Sequence, residues 1–275
     1  MRRLVLPRLS VQALLGGALV GGLMFVVLLS CVWTPANPLA IDLNATLSPP
    51  SARHWLGADE FGRDVLSRAM VGARISVGIA LITVACSVGA GVLIGTVAGF
   101  LRGPVDRVLM TFNDALLAFP GMLLALGLIA VFGAGFWSIV LALALAYLPS
   151  VVRVVRASVL SIREREYVEA SRVMGNSELY TMVRHVAPNA MPQILILATS
   201  LFGWVLLSES ALSFLGVGVP APAPTWGNML ASARPYLDQA AWLGVAPGVC
   251  IAIALLGVNL LGDALRDHFD PRSAP

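Results

Sequence analysis

Long runs of apolar residues dominate the chain and predict helices that cross a membrane. The hydrocarbon core of a bilayer is spanned by about 20 residues of helix, and six runs meet or approach that length. The first run is too long for the core of a signal peptide, which favours a retained helix. The pattern therefore predicts an all-α membrane protein with six transmembrane helices. The six runs are Val11–Val32, Ile75–Phe100, Val108–Phe132, Phe136–Val152, Gln193–Leu215 and Leu243–Leu261.

The order of these runs predicts two parts of unequal length. Residues 1–74 hold the first transmembrane helix and a segment that we expect to be periplasmic or interfacial. Residues 75–275 hold the other five helices, with a long polar loop over about residues 153–192. We expect the second part to form a membrane core that carries the loop on one side.

Composition supports the membrane prediction and excludes several functions. Apolar residues make up 58% of the chain and charged residues 12%, whereas a soluble domain carries about 25% charged residues. All eighteen basic residues are arginines. Without lysine the chain has neither a P-loop for ATP nor a Schiff-base cofactor site. We expect this chain itself to bind no cofactor.

The arginines are unevenly distributed between alternate loops. Thirteen of the eighteen lie in the N-terminal segment, the second-to-third connection, the fourth-to-fifth connection and the C-terminal tail. Arginine-rich loops stay on the cytoplasmic side of a membrane. This distribution predicts a multi-pass protein of the cytoplasmic membrane with both termini inside.

The loop between the fourth and fifth runs has the pattern of two short helices joined by a turn. Helix-forming residues 163–174 precede Gly175, which is suited to a left-handed C-cap. Ser177 can cap a second helix that runs to about Val186 and that Pro188 ends. Within the first helix, Glu169 and Arg172 have the spacing of an ion pair.

One face of the first short helix is semi-apolar. Its members recur at intervals of three or four residues; they are Tyr167, Ala170, Ser171 and Met174. Such a face on a short helix fits a groove in a partner protein. The alternative is a helix that lies on the lipid surface, but its mixed acidic and basic residues argue against an anionic-lipid anchor.

The same loop resembles the EAA loop of ABC importer permeases. Glu169-Ala170-Ser171, three further residues, Gly175 and then Pro188 match its pattern, with Ser171 where the family has a second alanine. In that family the loop docks in a groove of the ATPase subunit. The resemblance implies an ATPase-coupling set of Glu166, Tyr167, Glu169, Ala170, Ser171, Met174, Gly175, Ser177 and Pro188.

Several further motifs resemble the C-type subunit of dipeptide, oligopeptide and nickel permeases. The resemblance runs from about Ala40 to Pro271 and includes the stretches 54–68, 164–170, 212–218, 225–230 and 259–267. It implies a type I-like ABC importer fold and a non-catalytic subunit that forms half of a translocation pore. The implied partners are a second permease, two ATP-binding subunits that hold ATP and magnesium, and an extracytoplasmic substrate-binding protein.

The cargo and the class of transporter leave alternatives open. Di- or oligopeptides are the expected cargo, with nickel or a metal chelate as the alternative. A secondary transporter or a channel is a more distant alternative, which would need no ATPase. An intramembrane protease would need a zinc motif or a Ser–His pair, and no histidine lies within a predicted span.

Two carboxylates lie within predicted spans. Asp114 is either a structural group near the headgroups or part of the pathway or gate. Glu209, near the outer interface, either faces the translocation path or a peptide's amino group, or is simply solvated.

Two other features also have two interpretations. The segment Leu56–Arg68 is either an interfacial helix or a contact for a substrate-delivery protein. The spaced glycines Gly91, Gly95 and Gly99 indicate close helix packing within the chain or a dimer seam.

Overall fold

The computed structural model describes residues 11–269, which fold into helices and connecting loops with no β-strand among them. Five helices are long and apolar enough to cross a membrane, or six if one bent pair is counted as a span. The prediction of an all-α multi-span protein is confirmed. Both chain termini lie outside the described residues, so their cytoplasmic location stays a prediction. The helices are α1 (Val11–Leu29), α2 (Val65–Leu101), α3 (Gly103–Leu117), α4 (Gly121–Phe132), α5 (Phe136–Arg163), α6 (Glu166–Val173), α7 (Glu178–Thr181), α8 (Ala187–Phe214), α9 (Trp226–Ala233) and α10 (Trp242–Phe269).

The third predicted span is not one straight helix. It consists of α3 and α4, which meet at an angle of 86°. Proline has no N–H to donate and disfavours helical backbone at the preceding residue, so the helix breaks just before Pro120. The predicted run Val108–Phe132 thus corresponds to a bent pair of helices, which counts as one span only if the two are taken together. The bend leaves Val108 and Phe112 exposed on α3.

Helices α2 and α5 pack closely along a row of glycines. A Cβ atom added at Gly91 would lie 2.5 Å from Val151 Cγ1, and one at Gly95 would lie 2.8 Å from Val155 Cβ. One at Gly99 would similarly approach Val159. The absence of side chains lets the two backbones approach, which increases dispersion contacts where lipid supplies no hydrophobic driving force. The interpretation of these glycines as packing residues within the chain is confirmed.

The segment between α1 and α2 forms a folded cap over the start of α2. The Asp64 carboxylate accepts hydrogen bonds from Ser67 N at 2.8 Å and Ser67 Oγ at 2.6 Å, and contacts His54 Nδ1 at 3.0 Å. These bonds satisfy donors at the helix N-terminus that have no partner within the helix. His54 is thus a buried structural residue.

Turns, not an interfacial helix, make up the part of this cap that precedes α2. Asp59 forms ion pairs with Arg63 Nε at 2.7 Å and Arg68 Nε at 3.3 Å. The neighbouring Glu60 pairs with Arg63, and burial raises the pKa of Glu60 above its ordinary value. The interfacial-helix interpretation is wrong for residues 56–64, because Arg63 and Arg68 pair with Asp59 within the fold instead of extending to the interface, and residues 65–68 are the first turn of α2. Contact with a delivery protein stays a prediction.

Glu209 is buried where α8 meets α2 and α9. It is 0% exposed, and Ser213 Oγ donates a hydrogen bond to its Oε1 at 2.8 Å. Next to it, Trp226 donates its backbone N–H to Ser76 Oγ at 3.2 Å and its indole N–H to Ala69 O at 3.0 Å. The solvated alternative for Glu209 is wrong, and its carboxylate faces no open path in this structure. A role in gating stays a prediction.

Candidate functional site

The predicted helix–turn–helix loop is present as a hairpin, residues 164–186, between α5 and α8. Helix α6 ends before Gly175, whose φ of +84° lies in the left-handed region that glycine adopts without strain. The Ser177 hydroxyl then accepts a hydrogen bond from Tyr180 N at 3.2 Å and caps α7. Both capping predictions are confirmed, and together they fix the angle between the two arms of the hairpin.

Ser171 holds the two arms together instead of facing a partner. It is 0% exposed, and its hydroxyl lies 3.0 Å from the hydroxyl of Thr181 on the second arm. Asn176 in the turn donates a further hydrogen bond to Ser171 Oγ at 3.2 Å. By contrast, Tyr167 and Met174 are 44% and 73% exposed. The predicted semi-apolar face of α6 therefore has two environments. Ser171 makes an internal contact, whereas Tyr167 and Met174 lie on the accessible surface.

The charges of the hairpin pair across the turn and not along α6. Arg172 Nε lies 3.1 Å from Glu178 Oε1, so the predicted pair with Glu169 is wrong. The ion pair with Glu178 links the two arms of the hairpin. A pair between Glu169 and Arg172 would have linked two residues of the same arm. Glu169 is exposed and has no ion pair within residues 11–269. Its carboxylate is thus available to a cation of another protein.

Pro188 does not end the second arm as predicted. A single turn of π-helix, Met182–Val186, joins α7 to α8, and Ala187 N donates to Met182 O. Proline is tolerated in the first turn of a helix because the N–H it lacks would have no partner there. The second arm therefore continues through this turn into the long helix α8.

The hairpin is also tied to the end of α2. Glu164, at its start, pairs with Arg102 just after α2. The Arg163 guanidinium donates to the Phe100 carbonyl and lies 5.4 Å from the centre of the Phe100 ring, with Arg172 at 5.5 Å. These contacts connect three helices at one end of the bundle.

The exposed surface of the hairpin contains most of the predicted coupling residues. Every member of the predicted set except Ser171 is exposed. The exposed members are Glu166, Tyr167, Glu169, Ala170, Met174, Gly175, Ser177 and Pro188.

Two ion pairs that the sequence did not predict fix α3 against α5. Arg156 binds Asp106 through two hydrogen bonds of 2.6 and 2.7 Å. Arg153 binds Asp114 at 2.8 Å, and both side chains are about 60% exposed. Asp114 is therefore a paired group on an accessible face, which agrees with its structural interpretation. A further role in gating stays a prediction.

A groove of about 620 Å³, lined by both polar and apolar side chains, lies between α5, α8 and the start of the hairpin, where Tyr167 borders it. Ser158 and Ser161 line it from α5, and Asn189 and Gln193 line it from α8. None of these four residues was predicted from sequence, because each is an ordinary polar residue near the end of a span. The four-residue spacing between Asn189 and Gln193, which places them on one helix face, was the available signal.

The chain matches a family model for the binding-protein-dependent transport system inner membrane component over residues 91–275. It therefore belongs to that family of membrane subunits. As a member of the family, it is a non-catalytic, multi-pass permease subunit of an ABC importer of the inner membrane.

Similar proteins agree with this assignment. A putative peptide transport system permease protein of Brucella suis biovar 1 (strain 1330) is 41% identical over 254 residues, covering 91% of this chain and 86% of the relative. The di/tripeptide transport system permease protein DppC of Pseudomonas aeruginosa (strain UCBPP-PA14) is 42% identical over 268 residues, with coverage of 93% and 88%.

Solved structures support the fold. The MetNI methionine ABC transporter in an inward-facing conformation aligns with a TM-score of 0.60 at 16% identity, covering 72% of this chain and 95% of that chain. An amino acid ABC transporter with histidines gives 0.53 at 19% identity, with coverage of 74% and 94%. At these identities the likeness shows the fold alone.

The left-handed turn of the hairpin gives a direct test of its shape. We expect Gly175→Val to reduce ATP-driven transport by about tenfold, because a β-branched residue at this φ costs on the order of 1–3 kcal/mol. A Cβ atom at Gly175 meets no neighbour within 4 Å, so the effect is purely one of backbone conformation. Gly175→Asn is the matched control, since asparagine tolerates this region. Equal loss in both variants would contradict the argument.

Proposed function

We propose that this chain forms half of the translocation pore of an ATP-driven importer for di- or oligopeptides. Its partners are a second permease, two ATP-binding subunits and an extracytoplasmic substrate-binding protein. The observation that carries the proposal is an exposed hairpin held rigid by Ser171 and continuous with a membrane helix. The chain itself binds no cofactor, and ATP and magnesium are held by the partner subunits.

The hairpin supports a mechanical coupling to ATP hydrolysis. Its exposed Tyr167 and Met174 provide the apolar anchor, and Glu169 provides a charge for a groove in each ATPase. When the ATPases close, the hairpin moves with them as a rigid body. Because its second arm continues into α8 and its base binds α2, this movement changes the relation of the membrane helices and switches the accessible side of the pore.

Peptide cargo is supported by the names of relatives 41–42% identical to this chain. One of these is a putative peptide permease, and the other is a di/tripeptide permease. Uptake of labelled dipeptides and tripeptides by proteoliposomes that contain the assembled importer tests this proposal directly. Uptake that needs no ATP, or a complex that transports only a metal chelate, would contradict it.

The charge of the hairpin gives a prediction about coupling. We expect Glu169→Arg to reduce peptide uptake and substrate-stimulated ATP hydrolysis by at least tenfold, because it places a cation where the partner groove accepts a carboxylate. The fold should be unaffected, since Glu169 is exposed. Glu169→Gln retains size and removes charge, so its loss should be smaller. Wild-type coupling in Glu169→Arg would show that this side chain has no part in docking.

A further inference from the structure

The break between α3 and α4 lies at the depth of the membrane core. A Cβ atom added at Gly121, the first residue of α4, would lie 3.9 Å from Ala146 Cβ on α5. Ala146 is in the uncharged part of α5, which extends from Phe136 to the residue before Arg153. It lies about 15 Å along the helix from Phe136, which is half the thickness of the hydrocarbon core. The break is therefore near the middle of the bilayer.

The break exposes backbone groups that have no partner in the described part of the chain. Pro120 precedes α4, and no side chain caps this helix. The N–H groups of Gly121, Met122 and Leu123 consequently have no hydrogen bond within residues 11–269. Residues 118–120 are exposed as well. Irregular backbone at this depth does not face lipid, because lipid cannot satisfy its polar groups. Water or another protein must therefore cover the break.

A charged pair continues this surface towards the hairpin. Asp114 is one helical turn before Ala118, whose N–H donates to its carbonyl at 3.0 Å. Its partner Arg153 lies about 10 Å along α5 from Ala146, on the hairpin side. Both charged side chains are about 60% exposed. Burial against a protein would remove both charges from water at a considerable cost in free energy. The exposed pair therefore favours water as the medium that this surface faces.

We infer that this surface is the wall that the chain contributes to the aqueous translocation path, from the middle of the membrane towards the hairpin. The wall consists of residues 114–120 and Arg153. The inference rests on the proposed function, to which it adds the residues that line the path. The carboxylate and the guanidinium give the wall no net charge, so it does not select cargo by the sign of its charge.

The reactivity of single cysteines tests whether water reaches the wall. The native Cys31, Cys86 and Cys250 are first replaced by alanine. The complete importer in lipid nanodiscs, which leave both membrane faces open, is treated with a membrane-impermeant cationic methanethiosulfonate reagent, without nucleotide and with ATP and vanadate. A thiol reacts as its thiolate, so we expect Ala118→Cys and Ala115→Cys to react about tenfold faster than a lipid-facing cysteine in one or both states.

Leu93→Cys is the matched control on an apolar surface. Leu93 is 70% exposed on α2, in a part of that helix without charged residues. It lies between the levels of the break and the ion pair, since Gly91 packs against Val151 of α5. A rate at Leu93→Cys equal to that at Ala118→Cys would show that the reagent also reaches apolar surfaces, and it would overturn the inference.

A second measurement asks whether cargo passes the wall. Each variant is treated with the reagent before reconstitution into proteoliposomes, and its trialanine uptake is compared with that of an untreated sample of the same variant. We expect treated Ala118→Cys to lose most of its uptake, because the attached group occupies the path. Treated and untreated Leu93→Cys should have equal uptake. Fast reaction at Ala118→Cys that leaves uptake unchanged would place water but not cargo on this surface and would overturn the inference.

The outcomes separate this inference from the proposed function. An importer that takes up trialanine, although neither Ala115→Cys nor Ala118→Cys reacts in either state, would overturn the wall and leave the peptide importer standing. Lipid or the second permease would then cover the surface. Fast reaction at both positions in a complex whose wild-type form takes up no trialanine would overturn the peptide cargo and leave a water-filled path.

Discussion

Gly95→Val is expected to remove most of the folded protein from the membrane fraction. The first atom of the new side chain would lie 2.8 Å from both Val152 O and Val155 Cβ. A backbone carbonyl cannot move aside without displacing α5, so α2 and α5 must separate along their common row. Overpacking of this kind costs about 1–3 kcal/mol and occasionally more, and we expect the upper end here because one contact is to backbone.

Gly89→Val is the matched control, because it makes the same change in the same helix. A Cβ atom there meets nothing within 4 Å. Helix propensity changes equally in the two variants, so any difference between them reports on packing against α5. The yield of monodisperse protein and the thermal unfolding temperature in detergent measure this difference. Equal unfolding temperatures for the two variants would show that the glycine row is not a close contact.

Ser171→Phe is expected to abolish the coupling of transport to ATP hydrolysis. Ser171 is fully buried between the two arms of the hairpin, so a phenyl ring can enter only by separating them. The separation would break the Ser171–Thr181 contact and change the angle at which Tyr167 and Met174 are presented. We expect ATP-driven peptide uptake to fall by at least tenfold and the ATPase subunits to lose their response to loaded binding protein.

Ser171→Ala provides the control for this variant. Alanine keeps the small size and removes only the hydroxyl, at a cost of about 1 kcal/mol for the lost hydrogen bond. Uptake should therefore remain near the wild-type rate. A strong loss in Ser171→Ala would mean that the hydroxyl itself is needed, and normal coupling in Ser171→Phe would show that the hairpin does not act as a rigid element.

Local signals in the sequence predicted the hairpin turn well. Gly175 and Ser177 are confirmed as caps because capping depends on a few neighbouring residues. The prediction that Pro188 ends the second arm was wrong, since the π-helical turn before it lets the chain continue into α8. The predicted ion-pair partner of Arg172 was also wrong. Glu169 has a suitable spacing along the helix, but the folded turn brings Glu178 within reach.

The buried polar residues could not be placed from sequence in the same way. Ser171 is part of a semi-apolar face and so was grouped with the docking residues. Glu209 is part of an otherwise apolar span, which gave two alternatives and no means of choosing between them. In each case the surroundings come from residues distant in the chain or across a turn, such as Thr181 or Ser76.

The sequence by itself determined the helical membrane class, most of the spans and, through its motifs, the family. Hydropathy determines these features because a helix in lipid must satisfy its own backbone hydrogen bonds over a fixed thickness. The tertiary structure alone decided which charges pair, which polar groups are buried, where the third span bends and which polar residues meet in the α5–α8 groove. These depend on side chains from separate helices, whose approach is fixed only when close packing, such as that of the α2 glycines against α5, is complete.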